Sequence, residues 1–384
     1  DFGEFAANPN AKGIAAENAR RALRDVLGYR LYYDLRRGWR ITNPNLEQLG
    51  VLQIDYVSLD EACADAELWA SAPDPLALAP GEVRRAVATL LLDTMRRQLC
   101  IKTRYLDRFE QEQILNRSHN FLKEPWGFAE DERQLMEAAV FFPVPEPPGW
   151  RGEYRATFAS VRSRLGRQLA RPGLWGGAES PCFPGRLNDE LFRVIVGRML
   201  VGLEQYGIAE RIEVAGLGEG WRVNAAALRW TRGDGRPTAG GGLRTTDNPF
   251  FRALYENLAA QLGAGQRLLH RLEAREHTAQ VDAAAREERE ERFRAAELPV
   301  LFCSPTMELG VDIAELNTVY LRNLPPTPAN YAQRSGRAGR SGQPALVLAY
   351  AAAKSPHDQY FFRNPIRMVA GAVNPPTLDL ANED

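Results

Sequence analysis

"YAQRSGRAGRSGQ", residues 331–343, sets three arginines and three glycines into thirteen positions. The run occurs once and lies between two apolar stretches, whereas a disordered Arg-Gly tract would repeat. The pattern asks for guanidinium groups on a defined backbone. Just upstream, Thr327 is a suitable N-cap and Pro328 a suitable first helical residue, so a helix is predicted to begin there. On that helix Gln333, Gly336, Arg337 and Arg340 fall at i, i+3, i+4 and i+7, and one face presents an amide, a gap and two guanidiniums. Gly336 and Gly339 remove side-chain bulk and would let a ligand or another domain approach. Planar, permanently charged guanidiniums suit the equatorial oxygens of a transferring phosphate. Taken alone, the run would also fit a surface cluster making ordinary ion pairs.

A second motif lowers the odds of that plainer reading. "CSPTMELGVDI" (303–313) follows the strand-like "LPVLF" and offers a hydroxyl at Ser304, then Gly310 for a tight turn and Asp312 to accept from a sugar hydroxyl. Around both motifs the pattern alternates. "REHTAQV" (275–281), "LPVLFCS" (298–304), "NTVYLRN" (317–323) and "ALVLAYAA" (345–352) read as strands, and "DAAAREEREERFRAAE" (282–297) and "PANYAQRSGRAG" (328–339) as helices. Such alternation predicts an α/β fold, a parallel sheet covered on both faces. Ligands of such sheets gather at the carboxyl ends of the strands, so both glycine-bearing motifs are expected on that edge.

From Arg275 onward the chain resembles the second RecA-like domain of a superfamily 2 helicase of the DEAD/DEAH type. "CSPTMELGVDI" is similar to motif V and "QRSGRAGR" to the glutamine form of motif VI. The resemblance implies that Arg337 and Arg340 act as arginine fingers on the ATP γ-phosphate. It also implies that Gln333 touches that phosphate and that Asp312 meets the ribose, with Gly310 and Gly336 shaping the nucleotide site. Ser304 stands where many members carry a threonine that contacts a nucleic-acid phosphate. "REHTAQV" is similar to the segment whose backbone meets the bound strand, with His277 and Thr278 nearest. "SPTMELGVDI", "RNLPPTPANYAQRSGRAGRSGQPALV" and "SPHDQYFF" together resemble large bacterial helicases, including those of phage-defence systems such as DISARM. Those proteins carry long insertions around this domain.

The departures matter as much. No G-x-x-x-x-G-K-[ST] and no DExH box occur in the 384 residues, so the phosphate-cradling loop and the magnesium carboxylates are missing from the sequence. The resemblance places both in a first RecA-like domain of the same polypeptide. The sequence opens at Asp1 as if in mid-chain and is expected to be part of something longer. It would then hold half of an ATP site, using ATP and Mg2+ only when joined to the other half. The expected function is the C-terminal motor half of an ATP-dependent helicase or translocase, with DNA favoured over RNA as its track. The rival is a non-catalytic nucleic-acid or protein-binding scaffold on a degenerate RecA-like domain.

The rest of the chain reads as accessory structure. Residues 1–140 are expected to be mainly helical, with Ala19, Leu23, Val26, Leu27 and Leu31 on one stripe. "APGEVRRAVATLLLDTMRRQLCI" (79–101) starts a second helix at Pro80 and Gly81. "FFPVPEPPGW" (141–150) is a stiff connection. Residues 151–230 hold a helix capped at Asn188, a turn at Gly207 and a hairpin around "AGLGEG". That outline fits a winged-helix subdomain, a common nucleic-acid binder, or equally a hairpin packed on its helix. Its tip carries no Lys or Arg. "TRGDGRPTAGGGLRTT" (231–246) is a linker, and 248–384 form the RecA-like domain, opening with a helix at Asn248 and Pro249.

Composition sets the outer bounds. With 45% hydrophobic and 25% charged residues and a net charge of −1, the chain has an ordinary globular makeup, and a polyanion must be met by local patches. Cys63, Cys100, Cys182 and Cys303 lie far apart, so neither a disulfide framework nor a zinc site is indicated and a reducing cytoplasm fits. His119, His270, His277 and His357 show no metal spacing. "EEREER" reads as a solvated helix face, and no apolar run approaches the ~18 residues of a membrane span.

Overall fold

The structure, a computed structural model, describes residues 2–37, 44–124, 126–129, 132–152, 155–235, 249–264, 273–304, 316–339 and 344–371. The chain divides into two compact units, Asp1–Leu258 and Ala259–Asp384.

The first unit opens with α1 (Phe2–Phe5) and the long α2 (Ile14–Arg37), then β1 (Leu52–Tyr56). The helices α3 (Leu59–Ala64), α4 (Ala66–Ala70), α5 (Asp74–Ala77), α6 (Gly81–Arg97) and α7 (Arg108–Phe121) follow, with β2 (Ile101–Lys102) between the last two. Beyond them come β3 (Val140–Phe142), β4 (Ala156–Phe158), α8 (Arg164–Leu169), α9 (Asp189–Gln205), β5 (Ala209–Val214), β6 (Gly218–Asn224) and β7 (Leu228–Arg232). Strand β6 pairs with β5, β2 and β3, and β4 lies beyond β3. Sequence on both sides of the proline-rich 141–150 therefore shares one sheet. It also shares one core, in which Trp69, Leu91, Met95, Ile114, Phe192 and Met199 pack together.

Several helix boundaries fall where local chemistry puts them. Asn188 caps α9 by accepting from the Leu191 amide, and Gly207 turns the chain behind it at φ 68°. The buried face of α2 differs from the expected stripe. Ala19, Ala22, Val26, Tyr29 and Leu35 are buried, while Leu27 and Leu31 are exposed. Tyr29 packs against Phe128, and its hydroxyl accepts from the Met136 amide at 3.0 Å, so tyrosines with a polar handle took the core side in place of leucines.

α6 buries charge on purpose. Arg96, fully enclosed, donates to Glu47 Oε2 at 2.9 Å and to both Asp93 Oδ1 and the Tyr56 hydroxyl at 3.0 Å. Burial alone would raise the Glu47 carboxyl, but the bonds from Arg96 and Arg97 outweigh it and hold the group below its usual range. Arg84 donates to the carbonyls of Cys63, Leu76 and Ala77, supplying partners to the ends of α3 and α5. At the crossing with α4, a Cβ added to Gly202 would lie 2.6 Å from the Trp69 ring, so only glycine admits that approach.

Helix α10 (Pro249–Gly263) has Pro249 in its first turn as the sequence predicts, and the division between the two units falls within it, at Ala259. Its proposed cap Asn248 lies outside the described residues. Next come β8 (Ala274–His277), α11 (Ala283–Arg294), β9 (Val300–Cys303), β10 (Thr318–Leu321), α12 (Pro328–Ser335), β11 (Leu346–Ala349), α13 (Pro356–Arg363) and α14 (Pro365–Val369). β8 pairs in parallel with β9, and β10 with β11. The parallel α/β alternation is as expected. Coverage on both faces is not. Leu301, Val319 and Val347 are half-buried, but Val300, Phe302, Tyr320, Leu346 and Leu348 stand exposed. Among the described residues the strands are therefore covered on one face only.

Cys63, Cys100 and Cys182 are buried and Cys303 is exposed, and none of the four forms a disulfide. Burial pushes Cys63 up to about 11 and Cys100 up to about 12, which makes both inert packing groups. Among the described residues no helix is long and apolar enough to cross a membrane.

Candidate nucleotide and nucleic-acid site

Thr327 caps α12 by accepting from the Asn330 amide at 3.2 Å, and Pro328 fills the first turn. The start of the arginine-bearing helix is where the sequence puts it. Its end is not. α12 closes at Ser335 with Gly336 as its C-cap, and the Gly336 amide returns to the Ala332 carbonyl at 2.9 Å. A Cβ on Gly336 would sit 2.7 Å from that carbonyl, so the glycine serves the helix end itself. Ala338 then pairs in parallel with Leu316, the Gly339 amide donates to the Leu316 carbonyl at 3.1 Å, and Gly339 turns at φ 73°.

Gln333 therefore stands exposed on the last turn of α12, while Arg337 sits half-buried in the turn beyond it. The two do not share one continuous helical face. Arg340, Gly310 and Asp312 lie outside the described residues. The bridge nonetheless has a consequence for them in sequence: Leu316 follows the 303–313 motif closely, and Ala338 follows Arg337 directly. Both motif segments thus run into the same main-chain link. That link lies ahead of the amino end of β10, so the Arg337 turn is not at the carboxyl end of that strand. Helix α12 carries the chain back along the strands before the arginine turn is reached.

Ser304 follows the last residue of β9, at the carboxyl end of the β8–β9 sheet, where His277 and Cys303 are register partners. His277 has no exposed surface, and its Nε2 lies 2.8 Å from Glu290 Oε1. Its Nδ1 has no hydrogen-bond partner among the described residues. Thr278 is half-buried, and its hydroxyl donates to Glu276 Oε1 at 2.8 Å. The structure brings Ser304, His277 and Thr278 to one sheet end, with the His277 ring turned inward and the Thr278 hydroxyl outward.

The charged helix α11 does more than face solvent. Glu290 meets His277, Arg289 donates to the Glu276 carbonyl at 2.6 Å, and Arg292 bonds Glu273. These pairings of α11, none of whose side chains is fully buried, were invisible in a one-dimensional charge run. Also missed was Asp358, four per cent exposed, whose partners are described below. Its Ser-x-x-Asp spacing from Ser355 was a signal available in the sequence.

Comparison with known proteins bears on the segment that carries these residues. Residues 252–342 match the helicase conserved C-terminal domain. This segment is a superfamily 2 helicase C-terminal domain. Its fold is RecA-like α/β, consistent with the parallel strand pairs. Druantia protein DruE of Escherichia coli is 40% identical over 147 residues, covering 35% of this chain and 8% of that protein. ATP-dependent helicase HRQ1 of Saccharomyces cerevisiae is 38% identical over 68 residues, 18% of this chain and 6% of HRQ1. DEAD-box ATP-dependent RNA helicase CshA of Geobacillus kaustophilus is 25% identical over 92 residues, 24% of this chain and 20% of CshA. The chain thus spans a small part of the length of the relatives it matches. What the likeness carries is a helicase-type motor domain.

Proposed function

We propose that the chain is the C-terminal motor half of an ATP-dependent nucleic-acid helicase or translocase, with DNA as its track. The observation that supports it most is the α12 end. A capped helix presents Gln333, and the turn behind it carries Arg337 and is bonded to the residue that trails the Asp312 motif. Amide and guanidinium groups of this kind fit the oxygens of a nucleoside triphosphate. In this reading Arg337 and Arg340 offset charge on the γ-phosphate, Gln333 touches it, and Asp312 meets the ribose. Mg2+ fits this chain less well: among the described residues no three His, Cys, Asp or Glu side chains cluster to hold a metal. We assign its ligands, with the phosphate loop, to a first RecA-like domain elsewhere in the polypeptide. Bound Mg·ATP would supply the transferable phosphoryl group, and this half would bind and orient it.

Ser304, Thr278 and the backbone at His277 would meet nucleic-acid phosphates from the β8–β9 end. Residues 151–230 would act as a winged-helix subdomain, with α9 and the β5–β6 hairpin as its helix and wing. Arg193 on α9 and Arg211 on β5 line a shallow groove with Phe142, Val201 and Trp221, and Arg211 is already paired with Glu204 and Glu219. Its phosphate grip would accordingly be slight. The scattered cysteines favour a reducing cytoplasm, and the resemblance to large bacterial helicases favours a place among the subunits of a phage-defence or repair complex.

The test is ATP hydrolysis by the full-length protein with single-stranded DNA, single-stranded RNA or neither. Stimulation by DNA, with binding that weakens steeply between low and physiological salt, is expected. Stimulation by RNA alone would overturn the DNA assignment, and stimulation by neither would overturn the motor reading.

A further inference from the structure

"SPHDQYFF" (355–362) belongs to the resemblance to large bacterial helicases and lies outside the nucleotide and nucleic-acid site. In the fold it forms a clasp at the root of α12. Ser355 caps α13, its hydroxyl accepting from the Asp358 amide at 3.2 Å and donating to Asp358 Oδ1 at 2.9 Å. Asp358 Oδ2 accepts from the Ala352 amide at 2.9 Å, and the Leu324 amide adds a further bond to the carboxylate. His357 faces Asp358 Oδ1 with Nδ1 and the Pro326 carbonyl with Nε2, each at 3.2 Å. Leu324 and Pro326 are the residues just ahead of Thr327, the cap of α12. One buried carboxylate and one imidazole thus tie α13 to the backbone from which the arginine-bearing helix springs.

α12 needs such a tether. It is eight residues long and has no fully buried side chain of its own. A helix this short is marginal by itself in water, so its position must come from what holds its ends. The far end is fixed by the Leu316–Ala338 link. The near end is fixed by the clasp and by the close seat of Gly371 on Pro328, where an added Cβ would lie 2.6 Å from Cγ. Electrostatic stabilisation of a transition state depends on donors held in place beforehand. A displacement of about 1 Å at a positioned group can cost roughly 10²-fold in rate.

We propose that Asp358 and His357 are positioning residues for ATP hydrolysis, acting through the amino end of α12 on the placement of Gln333 and Arg337. The inference rests on the motor reading above. The Asp358 carboxyl is held down to about 2, the Ala352 amide contributing most, so it serves as a charged acceptor throughout the working range.

The test uses full-length protein carrying Asp358→Asn, with amide hydrogen exchange and steady-state ATPase measured on the same samples. Exchange across 327–336 should rise at least about tenfold while 274–277 and 283–294 stay as protected as in the wild type. kcat should fall roughly 10- to 100-fold with KM for ATP within about threefold, the pattern of lost transition-state placement. On an Arg337→Ala background, Asp358→Asn should cost less than about a further twofold, because both act through the same group. His357→Ala should move the same segment in the same direction. Unchanged exchange at 327–336, loss of protection across the whole unit, an unchanged kcat, or full additivity with Arg337→Ala would each overturn the proposal. A wild-type protein with no ATPase contradicts the motor reading instead, and the exchange result still decides the clasp.

Discussion

The main chains of Leu316 and Ala338 form a parallel bridge, closed by the Gly339 amide on the Leu316 carbonyl. This contact joins the residue trailing one motif to the residue following Arg337 in the other. Gly339 completes it in the left-handed region at φ 73°, where a β-branched residue is strongly disfavoured. Gly339→Val in the full-length protein should lower kcat for ATP at least about tenfold while the first unit melts as before. Wild-type turnover in that variant would show that the turn is dispensable.

The isolated chain should hydrolyse ATP no faster than buffer, because it has no phosphate loop and no magnesium carboxylate pair. A turnover assay on purified chain, with a mock purification as control, reads this directly. Genuine turnover would place a complete site within these 384 residues.

Arg96 tests how the first unit holds together. Arg96→Met leaves the buried Glu47 and Asp93 with Arg97 as their remaining cation and should cost about 3–5 kcal/mol in a urea melt. Adding Glu47→Gln should recover part of that loss, since a neutral amide is cheaper to bury than an unpaired carboxylate. A loss under about 1 kcal/mol for Arg96→Met would mean that water reaches the network.

Asp34 supplies a pH test of opposite sign to the usual carboxylate. Burial raises its carboxyl to about 6, against the Leu46 amide bond that lowers it. The folded chain therefore keeps a proton that the unfolded chain releases from about pH 4 upward. Stability contributed by the neutral form is present below that range and is lost as pH rises through about 6, by roughly 2–3 kcal/mol. Asp34→Asn should be more stable than wild type at pH 7.5, with the advantage shrinking towards pH 4. Melts at both pH values check it, and an equal difference at the two would contradict the assignment.

Local chemistry was the legible part of this sequence. Thr327 with Pro328, Asn188 and the Gly81 start of α6 are governed by adjacent residues, and the structure agrees with each. Long-range contacts decided the rest. The early end of α12 follows from the pairing of Ala338 with Leu316, which no helical wheel contains. The face of α2 turned because Tyr29 and Tyr32 found core partners while Leu27 and Leu31 did not. Glu290 reads as one more surface charge until β8 brings His277 beneath it. Asp358 carried a capping signature, but its bond to the Leu324 amide and the His357 contact with Pro326 exist only in the fold.

In the motor reading, Arg337 and Arg340 stabilise charge on the transferring phosphate. The most direct measurement is single-turnover ATP hydrolysis by full-length Arg340→Ala and Arg337→Ala, with nucleotide affinity and a melting curve on the same samples. Arg340→Ala should lose roughly 10³-fold or more in rate while ATP affinity changes far less, because the interaction strengthens in the transition state. Arg340→Lys should restore little, since an ammonium keeps the charge and loses the planar multidentate fit. Near-normal turnover in Arg340→Ala, or a loss explained wholly by unfolding, would return these arginines to an ordinary surface cluster.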